Sequence, residues 1–248
     1  FSALALGMGL ALLLLMAAVI AGEVRDSMDL SIRLQSGHLQ VRSKTFDQDK
    51  NSLAHEDLVS APEQLVAQIS ALEPVRAATP RLFASGIVTA GEETAGVSIL
   101  GIDPASEANE PYSGGLIDGS FLTAGDREGV LMGSTLAQKL NLQTGDQILL
   151  LVNTANGDVD EQPFTIRGTF ATGSPFYDQS TLLMPLAKAQ TITRAEGYAS
   201  TIFVLLKDTQ QTETVAAALQ SGQYDVVAWQ KMNALLTQVQ DMSSSFMV

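Results

Sequence analysis

The sequence predicts an α+β protein: an N-terminal transmembrane helix, a split βαβ-type sheet lobe interrupted by a mostly β second lobe, and a C-terminal helix leading to a second membrane span. Three observations predict it. Residues 1–22 carry no charged side chain, although 17% of the 248 residues are charged. Strand–helix–strand patterns stand on both sides of a central block, before residue 102 and after residue 200. Inside that block, short β-type runs alternate with turn signals such as Gly145-Asp146 and Asn156-Gly157.

The N-terminal run is FSALALGMGLALLLLMAAVIAG. As a helix it spans roughly 33 Å, enough for a hydrocarbon core of ~30 Å. A signal peptide is the competing reading, with Val19-Ile20-Ala21 as a weak cleavage site, but the run has no basic n-region and exceeds the usual apolar length. Leu4, Leu10, Leu14 and Val19 therefore mark a membrane span. The following EVRDSMDLSIR has no positive excess, which favours the extracytoplasmic side for what comes next.

Val24, Met28, Leu30, Ile32 and Leu34 keep helical spacing, so the helix continues into water until Ser36-Gly37 breaks it. Residues 38–46 alternate as a strand. Pro62 opens an amphipathic helix with Leu65, Val66, Ile69 and Leu72 on one face, ended before Pro74. Strands at about 75–90 and 95–102 are joined by a Gly91-Glu92-Glu93 turn. Residues 103–120, rich in Pro, Gly, Ser and Glu, mark a boundary. Beyond it, VLM is a short strand, Ser134 caps a helix, and QILLLVN and PFTIRGTF pair as a hairpin. LLMPL leads into a helix through Ile192, and TIFVLLK, TETVAAALQ and YDVVAW close a second strand–helix–strand unit. The predicted divisions are 1–35 for the membrane helix and its extension, 36–102 and 180–229 for the two halves of the sheet lobe, 103–179 for the inserted lobe, and 230–248 for an amphipathic helix entering the second span. An amphipathic helix packed on the domain is the alternative for 230–248.

Composition closes off several functions. A formal charge of −13 opposes nucleic-acid binding, which needs a basic face. With no cysteine, disulfides, thiolate metal sites and thiol catalysis are excluded. No GxxxxGK[ST] phosphate loop and no GxSxG elbow occurs. The two histidines, His38 and His55, lie outside any HExxH frame, and only they are open to a dispersed Ser-His-Asp triad. Asp47, Asp49 and Asn51 imitate a calcium loop, but Ser52 and Leu58 replace its required Gly and Glu. Asp103, Glu107, Glu110 and Asp118 read as a solvated acidic loop. No catalytic residue, metal or cofactor is expected.

The order of motifs resembles a known family. SGHLQV after the membrane helix, then GGLIDGSFL, VLMGSTLAQKLNLQTGDQILLL and FTIRGTFATG, and finally YDVVAWQKMNALL, are similar to the periplasmic core of ABC-transporter permeases of the MacB/FtsX-like superfamily. The stretch Ser36 to Val41 looks closer to the lipoprotein-releasing permeases of the LolC/LolE type. Its short NTANGDVDEQP hairpin departs from the LolC type, whose longer hook recruits a periplasmic chaperone, and points to a LolE-like or generic permease subunit. The resemblance implies a porter-like sheet lobe and four membrane helices in the whole permease. It implies a second permease subunit, homo- or heterodimeric, and a cytoplasmic ABC ATPase, separate or fused. Lipoprotein cargo, a periplasmic chaperone and membrane lipid are the further partners implied. Mechanical transmission from ATP-driven helices to the extracytoplasmic domain follows, with Met28, Ile32, Trp229, Asn233, Leu236 and Val239 as substrate-gripping or coupling positions. A single-span anchored binding or sensor domain is the alternative function.

Overall fold

The computed structural model describes residues 2–47, 50–220 and 222–232. The uncharged run and its extension form one helix, α1 (Ser2–Ser31), continued by a wider π turn at Ile32–Ser36. Gly7–Ser36 is long and apolar enough to cross a membrane. The described side chains between Gly7 and Ile20 are nearly all exposed: Leu14 is 61% and Val19 56% exposed. From Met28 onward the same helix is embedded in the domain, with Met28, Ile32, Leu34 and Ser36 buried. Position 37 must be glycine-like. Its φ is +60°, and a Cβ there would sit 2.8 Å from the Val204 carbonyl oxygen.

After that turn come β1 (Leu39–Ser43), β2 (Val59–Ser60) and α2 (Pro62–Ser70). β3 (Val75–Ala90) and β4 (Glu93–Ile102) form a hairpin closed by Gly91 at φ +60°. Next are α3 (Glu110–Ser113), β5 (Leu116–Gly119), β6 (Gly129–Gly133) and α4 (Ser134–Lys139). β7 (Gln147–Asn153), β8 (Val159–Phe170), α5 (Pro175–Asp178), β9 (Thr181–Pro185) and α6 (Leu186–Thr193) follow. The chain closes with β10 (Tyr198–Ala199), β11 (Thr201–Leu206), α7 (Thr212–Leu219), β12 (Tyr224–Ala228) and α8 (Trp229–Met232).

The first lobe is an antiparallel sheet in the order β12-β1-β11-β3. Leu39, Val41, Val75, Ile202, Val204 and Val226 form its apolar face, and Ile69 of α2 and Val215 of α7 pack on it. Both helices thus cover one side, as the two strand–helix–strand halves require.

The second lobe is a closed barrel. β3 pairs with β4, β4 with β9, β9 with β6, β6 with β8, β8 with β7, and β7 returns to β3. Strict alternation on β7 turns Ile148, Leu150 and Val152 inward, where they meet Leu82, Val88, Ile99, Met132, Phe164 and Met184.

The lobe boundaries differ from the expected ones. β3 has 16 residues, far longer than an ordinary strand, and serves both sheets. Its first part, to Arg81, pairs with β11; from Leu82 it pairs with β4 and then β7. The inserted lobe therefore begins inside β3, not at residue 103. It also extends beyond residue 180, because β9 lies between β4 and β6. The expected C-terminal helix beyond Met232 lies outside the described residues.

Candidate functional site

The place where α1 ends is built as a joint. A helix leaves its last carbonyls without intrahelical donors. Here each of several is met by a specific group. Gly37 N–H donates to Ile32 O at 2.8 Å, the Gln40 side-chain amide to Gln35 O at 2.8 Å, and Arg81 to Leu34 O at 2.6 Å. The Tyr112 hydroxyl donates to the same Leu34 oxygen at 3.2 Å.

The Leu34 side chain, 1% exposed, is embedded among Leu100, Ile102, Tyr112, Leu131, Phe170 and Leu183. Most of these come from strands of the barrel, so the foot of α1 is fixed into that lobe. Tyr112 also meets the edge of the Phe170 ring at 5.6 Å. Burial pushes the Tyr112 phenol up from its ordinary value, so it is a neutral donor at physiological pH.

Arg81 lies at the residue where β3 changes sheets. It is fully buried. Its guanidinium stacks on Phe203 at 3.5 Å from the ring centroid and reaches Ala108 O at 3.5 Å. Burial pulls its pKa below the ordinary guanidinium value, but the delocalised guanidinium keeps its proton inside a protein.

A cleft of about 360 Å³ opens beside this joint. Asp29, Ile32 and Arg33 of the helix face His38, Arg76, Glu107 and Glu110 across it. Two ion pairs bridge its walls: Arg33 with Glu110, and Arg76 with Glu107 at 3.5 Å. Residues 103–120, expected as a solvated boundary, thus supply a clamp that holds the helix foot through Glu110 and Tyr112 and meets Arg81 through Ala108. His38 is structural: its Nδ1 accepts the Leu206 N–H, its own N–H donates to Val204 O, and its carbonyl accepts from Trp229 N. His55 stacks on Tyr198 at 4.4 Å. Among the described residues, no three His, Asp or Glu side chains converge as a metal site.

The expected site positions separate into groups. Leu14 and Val19 line the exposed stretch of α1, and Leu4 and Leu10 lie within the same helix. Met28 and Ile32 are buried at the joint, so they do not present a free gripping surface. Trp229 opens α8, which packs beside the Ile32–Ser36 turn, so the last described residues lie against the end of the N-terminal helix. Asn233, Leu236 and Val239 lie outside the described residues. Arg81, Ala108 and Tyr112 escaped sequence reasoning. A lone Arg in a strand and a Tyr in a Gly-Pro-rich stretch look like surface residues until the strand partners are known.

Comparison with known proteins agrees with this architecture. Residues 1–221 match the family described as MacB-like periplasmic core domain. A curated relative, the lipoprotein-releasing system transmembrane protein LolE of Haemophilus influenzae, is 23% identical over 197 residues. That alignment covers 77% of this chain and 45% of LolE, so the chain spans less than half of that relative's length. The periplasmic region of MacB from Actinobacillus actinomycetemcomitans superposes with a TM-score of 0.56 at 15% identity, covering 83% of this chain and 95% of that one. The extracellular domain of the noncanonic ABC-type transporter YknZ from Gram-positive bacteria gives 0.52 at 16% identity, covering 76% and 99%. A membrane-length helix, a βαβ-type sheet lobe and an inserted barrel in this order, together with a match over nearly the whole length, place the chain in the family of MacB-like periplasmic core domains, the extracytoplasmic domain type of ABC-transporter permeases.

Proposed function

We propose that this chain is the extracytoplasmic domain, with the first membrane helix, of a LolE-like ABC-transporter permease that releases lipoproteins from the inner membrane. The observation that carries this reading is the buried joint at Leu34. A helix that only tethered a domain would end in a loose linker, whereas here its last turn is part of the barrel's packing. Motion of the helix in the bilayer is thereby motion of the domain. A cytoplasmic ATPase, separate or fused, supplies the stroke, and a second permease subunit provides the opposing domain. The similarity to LolE supports lipoprotein cargo, handed on to a periplasmic chaperone. Exposed apolar side chains on the lipid-facing stretch, such as Leu14 and Val19, suit an acyl chain, which gains ~0.8 kcal/mol for each CH₂ removed from water.

The test is reconstitution of the full-length permease with its ATPase in proteoliposomes loaded with a triacylated lipoprotein, with the chaperone outside. ATP is expected to move lipoprotein from the bilayer into the soluble fraction, and an ATPase unable to hydrolyse ATP is expected to abolish it. Ligand binding by the anchored protein with no ATP-driven release would instead assign it as a sensor domain.

A further inference from the structure

A buried guanidinium ordinarily faces a carboxylate, because an unpaired charge in a dry interior is costly. Arg81 has none: among the described residues no carboxylate forms an ion pair with it. Its charge is met by the Leu34 and Ala108 carbonyls and the Phe203 ring, while its Nε has no partner. The shortest of these bonds goes to the end of the membrane helix, where the peptide dipoles concentrate partial negative charge. The other contacts belong to the clamp and to the first sheet, and the residue itself sits where β3 passes from that sheet to the barrel. Four parts of the molecule therefore share one charge.

We propose that Arg81 is the positioning residue that makes the membrane helix and both lobes move as one body. If the helix foot shifted alone, the Leu34 carbonyl would leave the guanidinium, and among the described residues no carboxylate is paired with it to compensate. Tyr112 cannot substitute, since it holds the same oxygen by one neutral hydrogen bond and carries no charge that must be satisfied. The inference rests on the transporter reading given above, and it adds which side chain transmits the stroke.

Residues 1–248 contain no cysteine, so, with any cysteine elsewhere in the permease and its ATPase replaced by serine, paired nitroxide labels are placed at Glu23→Cys, on exposed α1, and Glu92→Cys, on the β3–β4 turn. The full-length permease is measured in nanodiscs with its ATPase, with and without ATP. The wild-type background is expected to give a narrow Glu23–Glu92 distance distribution that nucleotide leaves unchanged, while the distance between Glu92 labels on the two permeases shifts. Arg81→Met removes the charge and keeps an apolar filling, so folding is expected to survive. In that variant the helix-to-domain distribution broadens at least twofold and the cross-permease shift is lost. Retention of both the narrow distribution and the shift would overturn the proposal. If Arg81→Met fails to fold, Arg81→Lys, which keeps a charge and loses the forked geometry, is read instead: a broadened distribution supports the role and a wild-type one overturns it. Tyr112→Phe is expected to leave both readouts within error, and broadening there as large as in Arg81→Met would equally overturn it. Absence of any nucleotide-driven shift in the wild type would refute the transporter reading alone, since the width of the helix-to-domain distribution still judges Arg81.

Discussion

His38 Nδ1 accepts the Leu206 backbone N–H at 2.8 Å, which makes the ring the neutral tautomer protonated on Nε2. Protonating Nδ1 would remove that bond and place a cation beside Arg76. Burial first, and the Arg76 charge second, hold the imidazole below its ordinary value of 6.5, against an upward pull from Asp29.

A depressed histidine pKa has a definite sign in acid. The unfolded chain takes the proton first, so the stabilisation is complete above about pH 6.5 and is lost as pH falls from there through the folded value. Thermal melts of the wild type are expected to drop more between pH 7.5 and 5.5 than those of His38→Gln, whose amide oxygen keeps an acceptor and does not titrate. Arg33, Glu107 and Glu110 line the same cleft in both proteins, so their contribution cancels in the comparison. Equal drops would reject the assignment.

Gly37→Ala introduces a Cβ into a left-handed backbone position hard against the Val204 carbonyl. The expected loss is about 1–3 kcal/mol, read from urea unfolding. Gly125→Ala, where a Cβ meets open space, is the control and should change little.

Leu34→Ala should cost about 2–5 kcal/mol, because a fully buried leucine leaves a cavity among barrel side chains. Leu14→Ala, on the exposed stretch of the same helix, should leave domain unfolding unchanged. A similar loss at both positions would show that the helix foot is not packed as described.

The two ion pairs across the cleft are half-exposed on both sides. Double-mutant cycles for Arg33–Glu110 and Arg76–Glu107 should therefore give couplings of no more than about 1 kcal/mol, shrinking in 0.5 M salt. The buried contacts of Leu34, not these charges, hold the joint.

Leu14→Arg places a charge in the middle of the span at a cost of roughly 3 kcal/mol to insertion. Carbonate extraction is expected to shift the variant toward the soluble fraction, and unchanged retention would count against a spanning helix.

Much of the fold was legible before any coordinates. The amphipathic face of α2, the alternation of β7 and the glycine turn between β3 and β4 each reflect a local physical pattern, and each element stands where the pattern put it. What stayed hidden was partnership. Nothing in VRAATPRLFASGIVTA distinguishes one strand serving two sheets from a strand serving one, so the lobes were divided at the Pro-Gly-rich stretch. The burial of Arg81 follows from that crossing: residues 79–82 are covered on both faces, and alternation fails there. Ala108 and Tyr112 were hidden because loops acquire their contacts from distant chain, here across more than 70 residues between Tyr112 and Leu34. Met28 and Ile32 were singled out by helical spacing, which identified their helix but not that they would be covered by the domain.

The shared strand also sets a length scale. Sixteen residues of extended chain reach roughly 50 Å at about 3.3 Å each. One end, at Arg76, stands beside the foot of α1; the other carries the β3–β4 turn. Such a strut acts as a lever: a tilt of about 5° at the foot sweeps its far end through about 4 Å, more than the length of one strand residue. On the transporter reading proposed above, a small tilt of α1 would become, at the β3–β4 end of the barrel, a displacement large enough to separate or join two protein surfaces.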